Sequence, residues 1–470
     1  MRYLFVLLPM LLTGALAGQQ LPPILSEADF LQLVTTHHPL SVRAQLQRDR
    51  AAAVLRMARG GFDPKLYGDL DQKYFKGSFY YSNLEGGVKI PTWFGIELNA
   101  TYERNDGDFL NPEQSVPDEG LIAAGLSIAL GRGLLFDERR AELQRAQIYQ
   151  QATEAERLVL LNDLLYDAGK IYWEWSQAEG VVRIYEEAVE AARIRFEAVK
   201  AAAELGDSPL IDTLEAKIQL DNRRLSLQTA QLDLANTEAG LNAFLWLDGV
   251  VPVELTEDTR PPFIDRILVL PLPGSPLAIT NPELLRTQLK IDNLEVDERL
   301  QQEFLKPQVD VKYNALLSGG TTAPLEDYST NNYKWGVTVS QPLLLRKERG
   351  KLQMTRIKLS ETQLELSDKR AALRVKIQRA ENETNVTVSQ YDLARQITSD
   401  YFQLLEGERT LFRAGESSLF LVNTREQKYI EARIKQVEIL IKHRKARLAY
   451  DYALGRLWQL PLAGGPPPSD

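Results

Sequence analysis

The sequence has 470 residues, of which 44% are hydrophobic and 25% charged, a balance that supports one to three folded domains and excludes a disordered chain. It holds no cysteine, which excludes disulfides, thiolate metal sites, a cysteine nucleophile and lipidation of a cysteine behind a signal peptide. Lys and Arg number 55 against 64 Asp and Glu, a net charge of -9, which argues against nucleic acid as a partner.

At the amino terminus Met1-Arg2 precedes an apolar stretch over 3–16, and Ala15-Leu16-Ala17 before Gly18 has the small-x-small form that signal peptidase cuts. Residues 1–17 therefore read as a signal peptide. Beyond Gly18 no run approaches the about 18 apolar residues of a membrane-spanning helix. The exported chain is then soluble, or it crosses a membrane as a closed β-barrel.

Two long segments, 118–208 and 343–460, contain none of the 23 prolines and are rich in strong helix formers. Helices are expected over about 137–204 and 346–412, each roughly 100 Å long at 1.5 Å per residue. Each ends at a break, Gly206-Asp207-Ser208-Pro209 in one case and Gly415-Glu416-Ser417-Ser418 in the other, followed by a shorter helix. Further short helices are expected at about 26–59 and 278–306. In each half the two short helices add up to the length of the long one and can stack end to end beside it. Leu220, Leu227, Leu234 and Leu241 form one stripe, and Ile218, Leu225, Leu232 and Ala239 a second, nearly opposite one. Ile434, Ile441 and Leu448 repeat the pattern, with Ala432, Ile439, Ala446 and Ala453 opposite. Two apolar stripes per helix fit a wall of helices with a neighbour on either side.

The chain is a tandem duplication. Pro39 and Pro282 open matching helices and Pro64 and Pro307 close them, both pairs 243 positions apart. Leu143 and Leu352, and Gly206 and Gly415, are 209 apart, so the first half carries about 34 extra residues between Pro64 and Leu143.

Between the helices the period falls to two, the mark of strands. Val309, Val311 and Tyr313 alternate with Gln308, Asp310 and Lys312, and Trp335, Val337 and Val339 with Lys334, Gly336 and Thr338. In the first half Leu66 and Leu70 alternate with Lys65, Asp69 and Asp71, and a strand ends near Ile128 and Leu130. Between them Leu84, Val88 and Ile90, then Phe94, Ile96, Leu98, Ala100 and Tyr102, mark an added hairpin. Strands of this length with an apolar outer face suit a tilted outer-membrane barrel. On this reading Trp335, Val337, Val339, Val309, Val311, Tyr313, Phe94, Ile96 and Leu98 face lipid. So few strands cannot close a useful barrel alone, and an oligomer follows.

The resulting plan is a signal peptide (1–17), first-repeat helices (18–63 and 137–247), first-repeat strands with the extra hairpin (64–131), an equatorial linker (248–277), second-repeat helices (278–306 and 346–457), second-repeat strands (307–341) and a tail (458–470). This order, with Asn281-Pro282-Glu283-Leu284, the Gln341-Pro342-Leu343 junction and the tips at Gly206 and Gly415, resembles the TolC-like outer-membrane efflux proteins. The resemblance covers nearly the whole exported chain.

It implies a mainly α fold with β, in which a tandem-duplicated long-helix α-barrel runs into a trimeric transmembrane β-barrel. The homotrimer would sit in outer-membrane lipid with a long periplasmic extension. It would act as a passive duct, coupled through a periplasmic adaptor to an inner-membrane transporter of the RND or ABC type. Exported substrates would be drugs, metal ions or polypeptides. By position, Gly206, Ser208, Gly415, Ser418 and Leu419 would form adaptor-docking tips, and Asp207, Asp212, Glu416 and Asn423 the periplasmic aperture. Leu421 stands where an acidic residue would complete the second repeat's ring. The added hairpin also departs from the family: four strands per protomer give twelve in a trimer, whereas the six favoured here give eighteen.

No cofactor, metal site or catalytic constellation is expected. His37-His38 and His443 lie on distant helices, Gly131-Arg132-Gly133 reads as a strand-to-helix corner, and the many carboxylates read as solvated helix faces. The competing reading is a periplasmic coiled-coil adaptor or scaffold with soluble β domains.

Overall fold

The computed structural model describes residues 22–207, 209–256, 258–267, 272, 281–320 and 329–459. The expected signal peptide, Ser208, much of the linker after 267 and the tail from 460 lie outside these residues.

The expected helix over 26–59 is two, α1 (Glu27–His37) and α2 (Pro39–Arg59). Pro39 lacks an amide hydrogen and holds His38 extended, so the helix restarts there, with His38 Nδ1 accepting from the Leu40 amide at 3.2 Å. Four strands follow, β1 (Lys65–Phe75), β2 (Ser78–Pro91), β3 (Ile96–Asp106) and β4 (Leu121–Ala129). The long helix α3 (Glu138–Glu204) and the return helix α4 (Leu210–Asn242) complete the first half. A small hairpin, β5 (Trp246–Leu247) and β6 (Val251–Pro252), opens the linker. The second half is α5 (Pro282–Glu303), β7 (Gln308–Ser318), β8 (Tyr333–Ser340), α6 (Arg346–Arg413) and α7 (Leu419–Ala453).

The helices form a wall. α3 packs along α2 and α4 on one side and along α5 and α7 on the other, and α6 packs along α5 and α7. The stacked pair α2 and α4 is thus one edge of the wall and α6 the other. The main core lies midway along it, where Phe30, Val34, Leu165, Tyr172, Trp175 and Leu241 are fully buried. Tyr172 donates to the Leu25 carbonyl at 2.9 Å, and Trp173 Nε1 to Glu27 Oε1 at 2.8 Å.

The strands make one antiparallel sheet in the order β1-β2-β3-β4-β7-β8. The segments expected as the added hairpin are β2 and β3, but in the sheet β3–β4 lies beside β7–β8 as its counterpart, so the surplus pair that extends the sheet on the first-repeat side is β1–β2. In the single chain the sheet is open, with β1 at the edge that continues from α2 and β8 at the edge that leads into α6. Arg140 fixes the corner between β4 and α3 by donating to the carbonyls of Gly133, Leu134 and Leu135, and Gly133 takes the positive φ of 92° that this corner needs.

Candidate channel wall and helical tips

The pairing register decides which side chains share a face. Ile90 stands opposite Leu98, Leu98 opposite Leu126, Leu126 opposite Tyr313, and Tyr313 opposite Trp335. One step nearer the helices, Ile96, Ile128, Val311 and Val337 form a second row, and Val309 and Val339 a third. Away from the helices the rows continue through Leu66, Val88, Ala100 and Ala124 to Leu70 and Leu84. This face is apolar from row to row until Arg104, which stands opposite Leu84 in the outermost row. From the Val309–Val339 row to the Leu70–Leu84 row is ten residues along a strand, which for strands tilted by about 40° spans about 25 Å, the height of a barrel's lipid-facing band. No core covers it: Trp335 is 64% exposed and Val339 66%. The opposite face carries Lys65, Asp69, Glu85, Lys89, Glu103, Lys312 and Lys334.

Phe94 corrects the expected strand. β2 ends at Pro91, and residues 92–95 form a turn closed by the Thr92 amide donating to the Ile96 carbonyl at 3.0 Å, with Gly95 at a φ of 82°. The apolar alternation runs through this turn by coincidence. Phe94 lies at the helix-proximal rim, beside Trp93, which stacks on Phe62 at 4.4 Å. The rim is itself apolar and exposed, with Leu135 and its repeat counterpart Leu344, 209 positions on, both open to solvent.

At the far end of the wall the two breaks have the same geometry. The Gly206 amide donates to the Ala203 carbonyl and the Asp207 amide to Ala202; the Gly415 amide donates to Phe412 and the Glu416 amide to Leu411. Both are Schellman endings, and Gly206 and Gly415 take the positive φ that such endings require, 83° and 76°. Asp207 and Glu416 therefore occupy equivalent places, and both are exposed. Asp212 is half-buried in the first turn of α4. Ser418 caps α7, its hydroxyl accepting from the Leu421 amide at 3.4 Å.

Leu419, expected at the docking tips, and Asn423, expected at the aperture, are both buried. Leu419 is buried against Val199 and Ala216, because the first turn of α7 faces α3 and α4. Asn423 is buried too, accepting from Arg195 Nη1 at 2.8 Å and donating to Glu215 Oε1 at 3.1 Å. The exposed apolar side chains of the tips are instead Leu205, Leu210, Ile211 and Phe420.

Sequence reasoning missed the charged network behind these tips. Arg195 on α3 forms an ion pair with Glu426 on α7, and Arg409 Nη2 on α6 reaches Glu426 Oε1 at 3.0 Å. Arg223 on α4 donates to Gln427 on α7, and burial lowers the pKa of its guanidinium. Four helices are joined through buried or half-buried charge. The only trace in the sequence is arginine and glutamate on otherwise apolar faces.

The sequence model of outer membrane efflux proteins matches residues 95–245 and 275–456, well over half of the chain. The chain belongs to the outer membrane efflux protein family. Its members are non-enzymatic transport proteins, channels of the outer membrane that act as trimers with adaptors and inner-membrane pumps. Family membership sets aside the adaptor reading. A search of curated proteins finds no match. The CmeC outer membrane channel of Campylobacter jejuni has a similar fold, with a TM-score of 0.66 and 14% identity over 91% of this chain and 85% of that one. The MtrE outer membrane channel of Neisseria gonorrhoeae gives 0.66 and 11% over 91% and 88%. The outer membrane protein VceC of Vibrio cholerae gives 0.62 and 13% over 91% and 96%. As in the family, the chain is an outer-membrane efflux channel of mainly helical fold with a sheet; among its described residues no helix is long and apolar enough to cross a membrane.

Proposed function

We propose that three copies of this chain stand side by side as a duct, a β-barrel in the outer membrane leading into a helical barrel in the periplasm. One observation carries this reading: helical wall and sheet both end in unpartnered edges, and on the same sides. On α4, Ile211, Ile218, Leu225 and Leu232 recur every seven residues and are each at least half exposed, while Leu220 and Leu241 on its other side are buried. On α6, Leu364, Val386 and Leu393 are also at least half exposed, and Leu404 and Leu411 somewhat less so. In contrast α7, which has neighbours on both sides, buries both Ala432 and Ile441. Heptad stripes of this kind pack as knobs into holes, so the α4 edge of one copy fits the α6 edge of the next.

The energy for transport comes from an inner-membrane pump of the RND or ABC type, through a periplasmic adaptor that docks on the turns at Gly206, Ser208, Gly415 and Ser418. Drugs, metal ions or polypeptides pass through. Imaging of detergent-extracted protein tests the architecture: threefold particles well over about 100 Å long, with a cavity along the axis, are expected from helices of this length. A monomer recovered from a periplasmic wash would sink it.

Asp207, Asp212 and Glu416 charge the inner aperture. Replacing all three by their amides raises single-channel conductance or weakens block by cations, and an unchanged channel discards the assignment.

A further inference from the structure

We infer that the β1–β2 hairpin, which the second repeat lacks, is a full part of the pore wall, and that β8 of each copy pairs with β1 of the next to close an eighteen-stranded barrel. The inference rests on the trimeric reading above and concerns how that trimer closes.

Four observations carry it. First, the hairpin is paired as completely as the rest of the sheet: ten residue pairs join β2 to β3 in unbroken register, and the only irregularity, between Lys73 and Tyr74, lies beyond the Leu70–Leu84 row. Second, its faces continue those of the other strands, with Leu66, Leu70, Leu84, Val88 and Ile90 on the apolar side and Lys65, Asp69, Asp71, Glu85 and Lys89 on the polar side. A hairpin folded away from the barrel would have no use for that alternation. Third, its root is closed where it leaves the helices, because Trp93, just after β2, stacks at 4.4 Å on Phe62, between α2 and β1, and the adjoining β3 is held to α3 by Arg139 Nη2 donating to Glu97 Oε2 at 3.1 Å.

Fourth, the free edges match. β8 is exposed at all eight residues, and β1 at all but Tyr67. β1 runs away from the helices and β8 runs back towards them, so pairing between copies is antiparallel like every other pair in the sheet. Six strands per copy preserve this alternation around the ring. Exposed strand edges left unpaired invite uncontrolled association, and closure removes them.

The consequence is a wide mouth. At about 4.8 Å between strands and a tilt near 40°, eighteen strands enclose a backbone diameter of about 36 Å, against about 24 Å for twelve. Cross-section rises roughly twofold. The limit on the size of exported solutes is then set at the helical tips and not in the membrane.

The natural absence of cysteine makes the test direct. Gly336 on β8 faces the polar side and has no atom within 4 Å of the position of an added Cβ. Gly336→Cys is combined in the full chain with Tyr67→Cys, Asp69→Cys or Asp71→Cys on β1, and in a second set with Asn99→Cys, Thr101→Cys or Glu103→Cys on β3. Paired strands bring Cα atoms to within the roughly 4.4–6.8 Å that a disulfide spans. On oxidation in membranes, covalent trimers are expected from at least one member of the β1 set and from none of the β3 set. Covalent trimers from the β3 set instead would show a twelve-stranded barrel with the hairpin displaced, which overturns this inference and leaves the trimeric duct standing. Cross-links confined within single chains, or none between copies in either set, would overturn both.

Discussion

The two halves of the molecule agree in their helices and differ in their strands. α3 and α6 have 67 and 68 residues, and α4 and α7 have 33 and 35, whereas the first half contributes four strands to the main sheet and the second two. The contrast follows from geometry. All four helices must reach the same tip, where Arg195, Arg223, Arg409, Glu426 and Gln427 join them, so a turn added to one hairpin alone would tear that network. A sheet grows at its edge without disturbing what is already paired, provided strands are added in twos. Duplication therefore held the helix lengths and left the strand number free.

The largest effect is expected where the two halves are joined. Glu426→Ala leaves Arg195 half-buried without its ion partner, and removing one member of a buried pair costs about 3–5 kcal/mol. Amide hydrogen exchange over residues 405–430 should accelerate by orders of magnitude while α5 stays protected. Equal protection in both would mean that the two hairpins do not act as one body at the tip.

If the added hairpin is wall like the other strands, a charge on its apolar face must cost as much as one on β8. Val88→Arg and Val337→Arg should each destabilise the barrel by about 2–4 kcal/mol, and Thr338→Arg on the polar face by much less. The fraction of heat-resistant oligomer on gels reads this. Tolerance of Val88→Arg alone would separate the hairpin from the barrel.

A smaller effect distinguishes two corresponding joints between short and long helices. In the first half Arg48 on α2 donates two hydrogen bonds, of 2.7 and 2.8 Å, to Glu154 on α3; in the second Lys290 on α5 donates one of 3.0 Å to Glu365 on α6. Hydrogen bonds from Arg48 hold the Glu154 carboxyl down to about 2, with Arg157 helping and partial burial opposing. A carboxyl depressed in the folded state stabilises it above the ordinary value of 4.5, and that contribution fades as the pH falls towards about 2. Since Glu154 is about a third exposed, the contribution is less than about 1 kcal/mol. The stability difference between the natural chain and Glu154→Gln should shrink between pH 5 and pH 2, as followed by denaturant midpoints. A constant difference would refute the joint's role.

The residues that sequence reasoning misplaced are informative. Phe94 keeps the apolar alternation of a strand, but the Thr92–Ile96 hydrogen bond and the positive φ of Gly95 show that the chain turns there. Leu419 and Asn423 follow Gly415 at the spacing of a tip, yet α7 starts with that face turned towards α3 and α4. In each case the missing information is the direction of a neighbour distant in sequence. The stripes on α4 were legible because a seven-residue period is a local property of the helix surface.

The sequence by itself determined the element boundaries set by Gly206 and Gly415, the two-fold repeat, and the apolar and polar sides of the strands. These follow from propensity and periodicity, which act within a few residues. Only the tertiary structure decided that α4 and α6 lie at the edges of the wall while α7 is enclosed, that the added hairpin joins the sheet beside β3, and that the charges of Arg195 and Glu426 meet. A stripe announces that a helix has a partner, but which partner is set by packing between segments hundreds of residues apart.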